Sequence, residues 1–265
     1  RRKASSLHSP AASFIQVGKS KDFFAPRSDI ENGGWPLDPV EYYMSLNNYI
    51  AVALMAGKAS KVFRDAEILI KLPLQYQYLK FPRYEMPLNN AVLTAFLNGA
   101  VTAGGAEKSL QNVLSHCEAE DTTDAIIRVN LAVFAALQSD FIRAKEYLET
   151  LARETSTIEN LEYYYLYLVQ VNLASVLFAL NRPDHAIQLL EELSEAPMFS
   201  ADEFLKEHAC ALLADCRARR HGGGTGWYQT PLSVPNSLNN MVGKEAWNYY
   251  GHKYLFGELE FWSES

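Results

Sequence analysis

A 23-residue pattern occurs twice in this chain and limits what the rest of it can become. Val129–Leu151 reads VNLAVFAALQSDFIRAKEYLETL and Val171–Leu193 reads VNLASVLFALNRPDHAIQLLEEL, with eight identities at an offset of 42. Each copy is a run with apolar residues three and four apart, a short break, and a second such run. The breaks, Gln138-Ser139-Asp140 and Asn181-Arg182-Pro183-Asp184, carry turn and capping residues. A helical hairpin repeated at a fixed period cannot bury its apolar face alone, so each unit must stack on the next. The expected fold class is therefore all-α, an α-solenoid of about four helical hairpins with a capping helix.

Taken in order, residues 1–38 read as an extended N-terminal arm, broken by Pro10, Pro26, Gly33-Gly34 and Trp35-Pro36. Phe14, Ile15, Phe23, Phe24 and Trp35 make it too apolar for an idle tail. Asp38-Pro39-Val40-Glu41 is a helix start, with Asp38 as N-cap, Pro39 at the first helical position and Glu41 closing a capping box. Helical pairs are expected at about 40–56 and 60–72, 88–101 and 105–117, 122–137 and 140–153, and 158–180 and 183–194. Pro73, Pro82 and Pro87 bound an irregular bridge carrying Tyr76, Tyr78, Phe81 and Tyr84, and Gly104-Gly105 is read as the hinge of the second pair. A last helix at about 200–219 would hide the final apolar face. The repeat domain thus covers 39–220. A glycine hinge, His221-Gly222-Gly223-Gly224-Thr225-Gly226, then leads into an aromatic C-terminal arm ending at 265.

The repeats resemble the tetratricopeptide repeat. Asn130-Leu131-Ala132 with Ala144, and Asn172-Leu173-Ala174 with Ala186, supply the small first-helix residue and the alanine twelve positions later where two helices cross. Asp140-Phe141 is similar to the family's turn and Tyr147-Leu148 to its second-helix aromatic pair, and Pro197 lies one residue before the family's terminal proline. Ala66 with Ile70 and Ala106 with Leu110 suggest two earlier units, which spaces the four alanines 40, 38 and 42 residues apart. The family period is 34, so longer helices or loops are implied. The match is good over 122–198, weak over 40–117 and absent in both arms.

Composition restricts the role. Net charge is −7, which argues against nucleic acid as a direct contact, since phosphate affinity comes from lysine and arginine density. The first 21 residues are different: Arg1, Arg2, Lys3, Lys19 and Lys21 stand among five serines with no acid, a bias resembling the end of a mitochondrial transit segment. A solvated basic arm on a cytoplasmic protein is the alternative. Three cysteines cannot build a disulfide framework, and the most apolar stretch, 161–180, is interrupted by Glu162, Gln170, Asn172 and Ser175, so no transmembrane segment is expected. No catalytic constellation is visible. His116-Cys117 and the His208, Cys210, Cys216 group sit on expected helices rather than in metal-binding loops, and the HGGGTG run lacks the lysine of a phosphate loop. No catalytic residue, metal or cofactor is expected.

What remains is protein contact. In the tetratricopeptide register Ile126, Val129, Val133, Ala136, Leu137, Leu168, Val171, Ser175, Phe178 and Ala179 face the concave side, with no cationic clamp for an acidic terminus. Such an apolar groove must be filled, by a partner helix or by the protein's own aromatic arm. The arm holds nine aromatics between Trp227 and Trp262, and Asn236–Phe256 has room for one short helix, which Gly243, Gly251 and Gly257 weaken. Trp227, Tyr228, Trp247, Tyr250 and Trp262, with Tyr164 and Phe178 of the repeats, are the candidate partner-binding residues. The expected function is a noncatalytic scaffold subunit of a large multiprotein assembly, its partners the other protein subunits. The alternatives are a stand-alone peptide-binding adaptor and an RNA-associated helical-repeat protein of an organellar complex.

Overall fold

The computed structural model describes residues 39–55, 58–76, 79–81, 84–115, 122–154, 163–196, 203–221 and Gly257. These form nine helices among the described residues: α1 Pro39–Met55, α2 Ala59–Gln75, α3 Glu85–Leu97, α4 Ala103–Leu114, α5 Thr122–Leu137, α6 Phe141–Glu154, α7 Tyr163–Ala179, α8 Pro183–Ser194 and α9 Glu203–Arg220. Consecutive helices pack on each other throughout, giving four hairpins capped by α9, as the solenoid reading requires. The first helices also touch one another, α1 against α3, α3 against α5 and α5 against α7.

That second set of contacts explains the two kinds of helix in the sequence. A first helix has neighbours on both sides and beneath it, so α5 is apolar almost all round and buries every residue from Ala125 to Ala136 except Arg128. A second helix buries one stripe only: Ala144, Leu148 and Leu151 in α6, and Ala186, Ile187, Leu190 and Leu193 in α8. The inner row is further keyed by an edge-to-face pair of Phe96 and Phe134, ring centroids 5.0 Å apart, linking α3 to α5.

One turn recurs from hairpin to hairpin. The N–H of Ala100, Asp140 and Arg182 each bonds back five residues, to the carbonyls of Ala95, Ala135 and Leu177, at 2.9 Å every time. The residue before each of them, Gly99, Ser139 and Asn181, has positive φ of 69°, 65° and 59°. This is a Schellman close, in which one left-handed residue lets the chain satisfy the last carbonyls of the helix. Glycine and asparagine enter that conformation readily, whereas Ser139 adopts it at a cost of about 1–2 kcal/mol. Lys58 makes the same backward bond to Ala53 at 2.7 Å.

The start of each second helix corrects the register of the early units. Ala106, Ala144 and Ala186 donate to Thr102, Asp140 and Arg182, in each case the residue just before the second helix, as Lys58 is just before α2. Counting four from Lys58 reaches Val62, fully buried, so the equivalent of the repeat alanine in the first hairpin is Val62 and not Ala66. Gly104-Gly105 is not the hinge of the second pair either. The break lies at 98–102, and both glycines sit in the first turn of α4, where the Thr102 hydroxyl accepts the Gly105 N–H at 3.2 Å. Two prolines expected to bound helices lie inside them. Pro87 occupies the first turn of α3, where its missing N–H has no intrahelical partner to lose. Pro73 stands in the last turn of α2, where the burial of Leu69, Ile70 and Leu72 holds the helix through to Gln75. Past it, Phe81 of the bridge packs edge-on against Tyr43 at 4.9 Å.

Ion pairs fasten neighbouring units. The buried Glu107 of α4 meets Arg143 of α6 at 3.0 Å and takes a bond from Gln138 at 2.7 Å, tying the second hairpin to the turn of the third. At the far end Arg217 and Arg220 of α9 reach Glu191 and Asp184 of α8.

Ala106, Ala144 and Ala186 are each fully buried. Ala144→Leu and Ala186→Leu should each lower stability by about 1–3 kcal/mol through overpacking. Denaturant unfolding curves that superpose on wild type would show that the helices do not cross there.

Candidate functional site: an amide row on the first helices

The first helices carry asparagines at nearly fixed spacing: Asn47-Asn48 on α1, Asn89-Asn90 on α3, Asn130 on α5 and Asn172 on α7. Asn47, Asn89, Asn90, Asn130 and Asn172 are all fully buried. Burying a primary amide costs several kcal/mol unless its two donors and its carbonyl find partners. Here the asparagines partner one another. Asn130 Nδ2 donates to Asn89 Oδ1 at 2.8 Å, Asn89 Nδ2 to Asn90 Oδ1 at 3.2 Å, and Asn90 Nδ2 to Asn47 Oδ1 at 2.9 Å. Asn47 Nδ2 points on to Asn48 Oδ1 at 3.4 Å. The row runs as one amide chain across three hairpins.

Its end is closed by a residue from the other end of the sequence. Gly257 is buried, and its N–H donates to Asn130 Oδ1 at 2.7 Å. Its carbonyl accepts from Asn130 Nδ2 at 2.8 Å and from Asn89 Nδ2 at 3.1 Å. One side-chain amide thus meets both backbone groups of one residue, as a neighbouring strand would in a sheet. Because a peptide N–H can only donate, it compels Asn130 to present its oxygen there and its nitrogen onward. That choice fixes the direction of every later bond in the row.

Apolar contacts complete the cleft. A β-carbon placed on Gly257 would lie 2.8 Å from Ile126 Cγ2 and 3.3 Å from Leu168 Cδ2, and both side chains are fully buried. The position therefore admits glycine because of close approach and not because of an unusual φ. Ile126 lies four residues before Asn130 and Leu168 four before Asn172, so the same face recurs 42 residues on.

The sequence-predicted residues fall as follows. The groove positions Ile126, Val129, Val133, Ala136, Leu168, Val171, Ser175 and Phe178 are buried within this single chain, whereas Leu137 is 44% exposed. The C-terminal arm reaches the first-helix face through Gly257, so at this residue the groove is filled from within the chain. Phe178 is fully buried, its ring covered by the Arg219 guanidinium 5.0 Å from the centroid, so it holds the cap helix in place. Trp227, Tyr228, Trp247, Tyr250 and Trp262 lie outside the described residues, as does the side chain of Tyr164. The amide row is the feature that the sequence reading passes over. Its signal was present in the recurrence of asparagine at 89, 130 and 172.

Among the described residues no group of three or more His, Cys, Asp or Glu side chains could hold a metal ion. Nor, among these residues, is any helix long and apolar enough to cross a membrane. His116 and Cys117 lie outside the described residues, Cys210 is exposed, and Cys216 and His208 are buried. Burial pushes the Cys216 thiol up to about 12; Asp215 adds to the rise and Arg219 opposes it. Compared with known proteins, the sequence matches no family model and no curated protein.

Asn130→Ala and Gly257→Ala should each destabilise by about 1–3 kcal/mol, one by stripping partners from buried amides and the other by collision with Ile126. Because both break the same contact, the double mutant should fall short of the sum by about 0.5 kcal/mol or more, and strict additivity in urea melts would show that the two never meet. At pH 8 iodoacetamide should label Cys210 in the native protein and Cys216 only after unfolding. The folded Cys216 thiol titrates above its ordinary value of 9.0, so its contribution to stability is complete below pH 9 and is lost as pH rises towards about 12.

Proposed function

We propose that the chain is a noncatalytic helical-repeat scaffold that holds protein segments in extended form on the face of its first helices and belongs to a larger multiprotein assembly. The observation that carries this reading is the grip of Asn89 and Asn130 on the Gly257 backbone. Catalysis needs groups that gain or lose protons or attack, and primary amides do neither at ordinary pH. They do recognise peptide groups, which carry the complementary donor and acceptor.

The hairpins themselves we read as tetratricopeptide-like. Supporting this are the buried alanines at the start of α4, α6 and α8 and the recurrent turn before them, against a spacing longer than the family's. A stand-alone peptide-binding adaptor is the second reading, and the same backbone grip favours it if outside segments can enter. The basic, serine-rich first 21 residues support a mitochondrial destination, with the cytoplasm as the alternative.

The test is the native state of association. The protein, recovered from its own cells after crosslinking, should elute with fixed-stoichiometry protein partners at a mass well above that of one chain. Elution as a lone chain would overturn the scaffold reading.

A further inference from the structure

We propose that Asn89, Asn130, Ile126 and Leu168 form a peptide-binding site selective for glycine, with the chain's own Gly257 as its internal ligand, so that an outside segment enters only by replacing it. This rests on the reading of the first-helix face as a holder of extended chain, and not on membership of an assembly.

Selectivity comes from two independent filters. The hydrogen bonds address only backbone: N–H to Asn130 Oδ1, C=O to Asn130 and Asn89 Nδ2. Proline, which lacks the N–H, fails this filter, and every other residue passes. The second filter is steric. Ile126 Cγ2 would stand 2.8 Å from any β-carbon, closer than real contacts allow, with Leu168 Cδ2 at 3.3 Å across from it. Neither side chain can retreat easily, because both are fully buried and Ile126 is β-branched and stiff at its first torsion. Glycine alone passes both.

Occupancy in cis follows from the tether. Residues 222–256 join the last described turn of the array to Gly257, and a covalent tether of that length holds a ligand at an effective concentration on the order of millimolar. A free peptide at micromolar concentration competes poorly against it, although its contacts are identical. The amide row adds a reason for the site to stay filled. Asn130 gives one donor to Asn89 and spends its other donor and its acceptor on the ligand, so a departing glycine must be replaced by another peptide group or by water.

The test uses the full chain and a fluorescein-labelled synthetic peptide of residues 250–263, followed by anisotropy. Full-length Gly257→Val cannot seat its own arm and should bind the peptide saturably, at least about tenfold more tightly than the wild-type chain does. A peptide with valine in place of its glycine should bind neither chain. A peptide with sarcosine there, lacking only the N–H, should also bind at least about tenfold more weakly. Should Gly257→Val lose helicity, the same titration is made on full chain cut at a protease site inserted between Gly223 and Gly224, where the peptide should displace the released arm. Equal binding by wild type and the opened chain would overturn internal occupancy. Failure of the peptide to bind the opened chain, or equal binding of the glycine and valine peptides, would overturn the site itself. None of these outcomes depends on finding an assembly, so each can be told apart from failure of the scaffold reading.

Discussion

The contact between Asn130 and Gly257 is the constraint from which the interior of this molecule is organised. A buried amide has one acceptor and two donors to place, and Asn130 places all three, two of them on a residue 127 positions away. The Gly257 N–H orients Asn130; Asn130 then orients Asn89, and Asn90 and Asn47 follow. Low local dielectric strengthens each of these bonds, and each polarises the next. Had one asparagine been leucine, the amide beside it would lose a partner in an apolar core. The row thus ties the packing of three hairpins to the presence of a peptide group between them.

Around this polar seam the solenoid supplies two different surfaces. Inner helices, enclosed by neighbours, are apolar on nearly every side, and outer helices bury one stripe and leave the rest of their surface open. The connection between them is made repeatedly by the same device, a left-handed residue at Gly99, Ser139 or Asn181 that allows the backbone to turn without leaving carbonyls unsatisfied. Three different residues in one conformation show that stacking dictates the turn and local preference follows where it can.

Much of this was legible in the sequence, and the failures have identifiable causes. The helices, the order of the hairpins and the capping role of the last helix come from apolar spacing, which is local information. Pro87 misplaces one boundary because proline is tolerated in a helix's first turn, and Pro73 another because the burial of Leu69, Ile70 and Leu72 carries α2 past the bond it breaks. Ala66 passes for a repeat alanine because it has a suitable neighbour in Ile70. Only the observed start of α2 after Lys58 shows that Val62 holds the equivalent place. The amide row was missed for a deeper reason. Periodicity distinguishes apolar from polar positions, and an asparagine on an apolar face reads as an interruption until its partner is known. Asn130 counted as part of a small-residue signature, and Gly257 as a weak point in a possible helix. Neither meaning is contained within any window of sequence that includes only one of them.

Stacked hairpins ordinarily open piecemeal, since each touches only the next and the end units can fray while the middle holds. Gly257 changes that topology of risk. It is hydrogen-bonded to α3 and α5 and wedged against Leu168 of α7, so a single residue spans the second, third and fourth hairpins. Any one of the three that opens must first surrender a contact shared with the other two. The three hairpins are thereby coupled, and amide exchange across them should be more concerted than in an array joined by nearest neighbours alone.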